Sequence, residues 1–210
     1  KVYKSNPTGE DRYSVLQALF DSYVFNDLSE AKKYVFEHLE LAESEGETMQ
    51  IARATYNIGV LVNNTNDYDS AAVWYRKALV MFQELEALER VAKVNFALAI
   101  LDYYKGDYPS ALALLDQNIS MLLEIKPDSL LLGGDFQLKG QIEVRRGNLN
   151  ISLKETLRAV KIFQNTGDEL RLADAYNLLG SLETSLKNFQ KSIEYNLLAL
   201  EIYKKYEDRF

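Results

Sequence analysis

The sequence predicts an all-α fold built as a row of about five helix-turn-helix repeats. Three observations carry this. The phrase Ala52-Arg-Ala-Thr-Tyr-Asn-Ile-Gly59 returns as Ala173-Asp-Ala-Tyr-Asn-Leu-Leu-Gly180. The small residues Gly59, Ala99, Gly140 and Gly180 recur at a near-constant spacing, and each precedes a turn of similar chemistry. Apolar residues recur at three and four, as in Ala71, Trp74, Tyr75, Ala78 and Leu79, and no segment alternates with period two long enough to make a strand.

The elements follow in order, with repeats over residues 11–47, 48–87, 88–127, 128–167 and 168–207. The first repeat is degenerate. Leu28 stands in the turn's aromatic slot, and Leu19 and His38 occupy slots that favour small residues. It reads as an N-terminal capping repeat. The second has Gly59, the turn Asn66-Asp67-Tyr68, then Ala71 and Ala78. The third has Ala99, Gly106-Asp107-Tyr108, Ala111 and Asn118; the fourth Gly140, Gly147-Asn148-Leu149, Ser152 and Ala159; the fifth Gly180, Lys187-Asn188-Phe189, Ser192 and Ala199. Asn or Gly followed by Asp or Asn tolerates the left-handed backbone and caps the next helix. Small residues let the paired helices approach, and the turn aromatic is expected to be buried between them. Second helices stop at Gly46, Pro127 and Gly167. Residues 84–90 contain no breaker, which leaves the second boundary unmarked.

These positions resemble the tetratricopeptide repeat over residues 11–207, with Tyr176 in a slot that family fills with Trp or another aromatic. The resemblance implies a right-handed superhelical solenoid. The period is longer than the family's common one, and the Pro that usually ends the second helix is replaced by Glu43, Gln83, Leu123, Gln164 and Lys204. Second helices should therefore run one to two turns longer. Long repeats of this kind look like those of kinesin light chain, spindle-orientation adaptors and bacterial signalling proteins.

Composition excludes much chemistry. The 210 residues carry a net charge of −7, with 47% apolar and 26% charged residues, which suits a globular repeat array and no disordered class. With no cysteine, thiol catalysis, disulfides and Cys-ligated metals are excluded. With one histidine, so is any site needing two imidazoles. No basic stripe suggests nucleic acid, and no apolar run approaches the roughly 18 residues of a membrane span. The chain opens at Lys1 without an initiator Met and ends straight after a helical pattern, so it reads as a single repeat domain, residues 1–210, of a longer protein.

No residue set reads as catalytic or metal-binding, and no cofactor is expected. His38 reads as a packed histidine. Asp67 with Asp69 and Glu84 with Glu86 read as caps and solvated surface, and the run from Glu37 to Glu47 as a solvated helix face. Gly133-Gly134-Asp135 lacks a preceding strand and a following Gly-Lys-Ser/Thr, so it is no phosphate cradle. It reads as the frayed start of a helix after Pro127-Asp128. The glycosylation-type triplets at Asn63, Asn118 and Asn150 fall in or beside helices and are set aside.

The resemblance implies that the first helix of each repeat lines a concave groove. The polar and aromatic residues it places inward are Arg53, Tyr56, Asn57, Asn63, Asn64, Lys93, Phe96, Tyr103, Tyr104, Gln137, Gln141, Arg145 and Asn177. Amides pair with a peptide backbone, aromatics supply area, and Arg and Lys take a carboxylate. Arg53, Lys93 and Arg145 are expected to converge there. The family's chaperone-tail clamp is absent, because its slots hold Tyr56, Val60, Ala97, Gly134 and Leu138. The expected role is therefore protein or peptide binding, as the sensor or interaction region of a bacterial signalling protein such as a repeat-containing sensor histidine kinase, with an extracytoplasmic location. The alternatives are a free-standing scaffold or a cytoplasmic peptide-responsive regulator. The last helix spreads apolar residues around most of its surface, which predicts a further helix or a second copy of the chain against Leu198 and Ile202.

Overall fold

The computed structural model describes residues 10–126 and 129–207. These form α1 (Glu10–Tyr23), α2 (Leu28–Glu45), α3 (Thr48–Asn63), α4 (Tyr68–Glu84), α5 (Leu88–Lys105), α6 (Tyr108–Ile125), α7 (Leu130–Arg145), α8 (Leu149–Thr166), α9 (Glu169–Ser185) and α10 (Phe189–Glu207). No strand occurs among the described residues, and no helix there is long and apolar enough to cross a membrane. The chain divides into two compact units, Lys1–Leu98 and Ala99–Phe210, with the border inside α5.

Turn chemistry explains the helix starts. Asp27, Asp67 and Asp107 occupy the same slot in successive repeats, and each carboxylate accepts from backbone N–H groups of the following helix: Ser29 and Glu30, Ser70, and Ser110. In the next two repeats Asn takes that slot. Asn148 and Asn188 instead donate their side-chain amides to the buried carboxylates of Glu143 and Glu183, at 2.5 and 2.7 Å. The residue before the slot is left-handed in four turns: Asn66, Gly106, Gly147 and Lys187, with φ between 61° and 81°.

The stops behave alike. Gly46 and Gly167 close α2 and α8 at φ 70° and 72°. The boundary without a breaker uses Glu86, in the slot that Gly46 holds one repeat earlier, at φ 52°. An L-residue takes the glycine conformation there because Ala87 N–H still reaches Phe82 C=O at 2.9 Å. Pro127 lies outside the described residues.

Each unit has its own core. In the N-terminal unit Leu16, Phe20, Ala31, Val35, Ala42 and Ile58 form a buried cluster, and Ala71 and Ala78 are fully buried, as the repeat register requires. In the C-terminal unit Leu115, Leu122, Ile142, Phe163, Leu179 and Leu182 are buried. Small residues set the helix spacing. A Cβ on Gly59 would lie 2.6 Å from the Tyr75 ring, and one on Gly180 2.3 Å from Oδ1 of Asn196.

Two expectations are corrected. The turn aromatics do not wedge into the core: Tyr68 and Tyr108 are half-buried and Phe189 is 62% exposed. They occupy the first residue of α4, α6 and α10, where the side chain leans back over the turn and not between the helices. Nor is Gly133-Gly134-Asp135 frayed. Ser129 caps α7 through a bond from Leu132 N–H, and all three residues are buried, with Gly133 placed so that a Cβ would lie 2.5 Å from the Phe163 ring. The two glycines lower helix propensity, and helix packing overrides that loss.

Candidate functional site

The first helices bring seven of the thirteen predicted residues to a cavity, four in the N-terminal unit and three in the C-terminal unit. In the N-terminal unit a cavity of about 200 Å³ is lined by Gln17 and Asp21 of α1, Arg53, Tyr56 and Asn57 of α3, Phe82 of α4, and Arg90 and Lys93 of α5. The side-chain amide of Asn57 donates to Oε1 of Gln17 at 2.7 Å, and Nε2 of Gln17 donates to Oδ1 of Asp21 at 2.9 Å. This chain of amides links α3 to α1 and holds the Asp21 carboxylate at the cavity wall. The Lys93 ammonium lies 4.9 Å from the centroid of the Tyr56 ring, a cation–π contact. Burial lowers the Lys93 pKa, and the neighbouring Arg90 charge lowers it further, against an opposing pull from Asp21. Burial pushes the Tyr56 hydroxyl up to about 12, so it stays a neutral donor.

In the C-terminal unit a more open cavity of about 340 Å³ is lined by Gln137 and Gln141 of α7 and by Asp174, Asn177, Leu178 and Ser181 of α9. The Tyr203 hydroxyl donates to Oδ1 of Asp174 at 2.6 Å. The amide-rich lining suits a backbone of carbonyls and N–H groups more than a single charge.

Other predicted residues fall elsewhere. Asn64 is committed to the fold, since its side-chain amide donates to Val24 C=O at 3.1 Å and so closes the end of α1. Asn63 is half-buried at the end of α3, with Oδ1 shielded from solvent. Phe96 is half-buried on α5. Tyr103, Tyr104 and Tyr108 form an aromatic cluster, with ring centroids 5.5 Å apart for the first two and 6.1 Å for Tyr103 and Tyr108. Arg145 is exposed in the C-terminal unit, where the neighbouring Tyr103 raises its pKa, whereas Arg53 and Lys93 share the N-terminal cavity. Sequence reasoning missed Gln17, Asp21 and Arg90. Arg90 stands on a first helix three residues before Lys93, and a count of charges along α5 would have found it.

His38 is buried, with Nε2 3.3 Å from Oε1 of Gln50 and its ring 5.3 Å from that of Tyr13, and burial lowers its pKa. Asp67 is a helix cap. No group of three or more His, Asp or Glu side chains able to hold a metal ion occurs among the described residues.

The chain is similar to several known repeat proteins. Residues 173–206 match the model of the tetratricopeptide repeat. Response regulator aspartate phosphatase J of Bacillus subtilis (strain 168) is 27% identical over 176 residues, which is 82% of this chain and 44% of that protein. The chain thus spans less than half the length of this curated relative. The crystal structure of the apo form of RapI superposes with a TM-score of 0.70 at 16% identity, over 95% of this chain and 56% of that one. A signal transduction ATPase with numerous domains from Pyrococcus horikoshii, which carries a tetratricopeptide repeat sensor, gives a TM-score of 0.73 at 13% identity, over 92% of this chain and 30% of that one. At such identities the likeness shows the fold. This chain therefore has the tetratricopeptide type of helical-pair repeat fold.

Proposed function

We propose that this tetratricopeptide-type chain binds a peptide or an extended protein segment along its first helices, as the sensing or interaction region of a bacterial signalling protein. One observation carries the reading. Side chains from equivalent positions of successive first helices line polar cavities in both units. A binding face needs this arrangement, with amides and cations available and aromatics beside them. The buried carboxylates, by contrast, are engaged by turn and helix partners, as Glu143 is by Asn148 and Arg146.

Similarity to a response regulator phosphatase and to the sensor of a signalling ATPase supports a signalling role. It favours a regulator that acts on a partner protein over a membrane sensor kinase. The chain itself binds and does not catalyse in this reading, whatever further segments the whole protein carries.

The test is selection of a displayed random peptide library on the immobilised chain. The expected result is a recurring peptide class whose capture falls at least tenfold in the Arg53→Ala/Lys93→Ala/Arg145→Ala variant, with circular dichroism showing the helical fold retained. Unchanged capture by that variant moves binding to the second-helix face.

A further inference from the structure

The second-helix face of the N-terminal unit carries an apolar groove between α2 and α4. It holds about 520 Å³, with walls from Leu39 and Glu43 of α2 and from Trp74 and Val80 of α4, and a floor from Ile51 and Thr55 of α3. The repeat register shows what fills the same place in the C-terminal unit. Thr55 stands where the fourth repeat has Phe136 and the fifth has Tyr176. Phe136 is buried, with the Arg158 guanidinium of α8 5.3 Å from its ring centroid. Tyr176 is buried between two second helices: Gln164 of α8 donates to its hydroxyl at 2.8 Å, and Tyr195 of α10 stacks on its ring with centroids 6.0 Å apart. There a ring from the first helix occupies the groove. Thr55 is too short to do so, and its hydroxyl donates back along α3 to Ile51 C=O at 2.8 Å. Trp74, in the slot that Tyr195 holds, therefore lines an open groove, with the Lys77 ammonium 4.6 Å from its ring centroid.

The two ends of the groove differ in chemistry. At one end Phe36, one turn before Leu39, is 42% exposed, and Val73, one turn before Lys77, is 51% exposed. At the other end Glu43 lines the groove, Glu47 stands one turn before Ile51, and Glu84 stands one turn after Val80, all three exposed. We infer that this groove docks an amphipathic helix of a partner protein, which inserts one aromatic side chain over Thr55 and sets basic side chains against Glu43, Glu47 and Glu84. Two parallel second helices make a straight trough; Val73 and Glu84 stand three turns apart, roughly 16 Å, which suits a helix laid along it. The floor has the place of a ring that the other unit supplies from within, so an aromatic anchor fits it. Carboxylates at one end select basic partners, and a net charge of −7 opposes a second copy of the chain there. The groove is separate from the first-helix face, so it stands whether or not peptide binding there holds.

The test reads the emission of Trp74, the one tryptophan of the chain, while synthetic peptides are titrated against the whole chain. Three peptides of about 16 residues, roughly 24 Å when helical, serve as probes. The first is an Ala- and Gln-based helix with a central Phe flanked by Leu and with Lys at one end. The second has Glu in place of Lys, and the third has Ser in place of Phe. The expected result is a saturable blue shift with the first peptide, because the covered indole loses water, and binding weaker by about tenfold or more for each of the other two. Thr55→Phe should abolish the shift while circular dichroism shows the helical fold retained. Val80→Arg, at a side chain 52% exposed, carries the same expectation should Thr55→Phe fail to fold. Glu43→Lys/Glu84→Lys should weaken the basic peptide by about tenfold and strengthen the acidic one. The Arg53→Ala/Lys93→Ala/Arg145→Ala variant should bind the first peptide as the wild type does. Silence of Trp74 with all three peptides, equal binding of the basic and acidic ones, or a shift that survives in the groove variants overturns the inference. So does a shift that grows with the concentration of the chain alone and is lost in Val80→Arg, which would assign the groove to a second copy.

Discussion

The side-chain amide of Asn118 on α6 donates a 2.9 Å hydrogen bond to Oδ2 of Asp135 on α7, and both residues are 0% exposed. Oδ1 of Asp135 is buried without a hydrogen-bond partner. Burial pushes this carboxyl up to about 8, and the bond from Asn118 offsets only part of that. The folded-state pKa thus lies above the unfolded value, so the proton is held through neutral pH. The resulting stabilisation is complete below about pH 4 and is lost as pH rises toward 8. Asp135→Asn keeps the bond from Asn118 and cannot ionise. Urea unfolding should find its advantage over wild type growing between pH 5 and pH 8, by at most about 1.4 kcal/mol for each pH unit. An equal difference at both pH values would show that Asp135 ionises without penalty in the fold.

Glu86 and Lys187 hold left-handed backbone, at φ 52° and 64°, in slots where Gly46, Gly147 and Gly167 stand in other repeats. An L-residue there carries roughly 1–2 kcal/mol of strain, partly offset by the larger chain entropy that glycine loses on folding. Glu86→Gly and Lys187→Gly should each stabilise the chain by about 0.5–1 kcal/mol, and Gly167→Ala should destabilise it by about 1 kcal/mol. Thermal melts of the three variants check the signs.

Gly59 marks where two helices touch closely, with the Tyr75 ring 2.6 Å from the place a Cβ would take. Gly59→Ala raises helix propensity by about 1 kcal/mol, yet it should lose about 1–3 kcal/mol net, because Tyr75 is itself buried and has nowhere to retreat. The double variant Gly59→Ala/Tyr75→Leu should recover part of that loss in a double-mutant cycle.

The last helix exposes a stripe of apolar side chains. Ile193 is 54% and Leu197 59% exposed, and Phe189 and Leu200 continue the row at helical spacing. Leu198 is less exposed, at 42%, and Ile202 is half-buried, so the stripe is centred one residue before the position the sequence suggested. If the stripe meets a second copy or a further helix, light scattering of this chain should show mass growing with concentration. Leu197→Glu should restore a monomer with little change in melting temperature. A strict monomer at all concentrations would show that α10 tolerates the stripe in water.

The repeat period, the helix pairs and most turns were legible because they are local. A helix places residues three and four apart on one face, and an Asp before a helix caps it wherever it occurs. The buried alanines at 71 and 78 follow from that register alone. The stop at Glu86 was not legible, because no residue preference marks it and only the hydrogen bonds around it hold the conformation. Burial of Gly133-Gly134-Asp135 was missed for a related reason. Two glycines and an acid read as a weak helix start, and only the Phe163 ring on α8 shows why glycine is needed there.

By itself the sequence determined the all-α repeat fold and the register that pairs its helices. Those depend on short spacings, which the chain carries in its order. Only the tertiary structure decided what each first-helix residue does. It committed Asn64 to the end of α1, joined Asn57 through Gln17 to Asp21, and brought Arg90 beside Lys93 and Arg53. Such pairings join side chains a whole repeat apart, such as Asn57 and Gln17, and they depend on how closely neighbouring helices pack, a distance set by small residues such as Gly59 and Gly180.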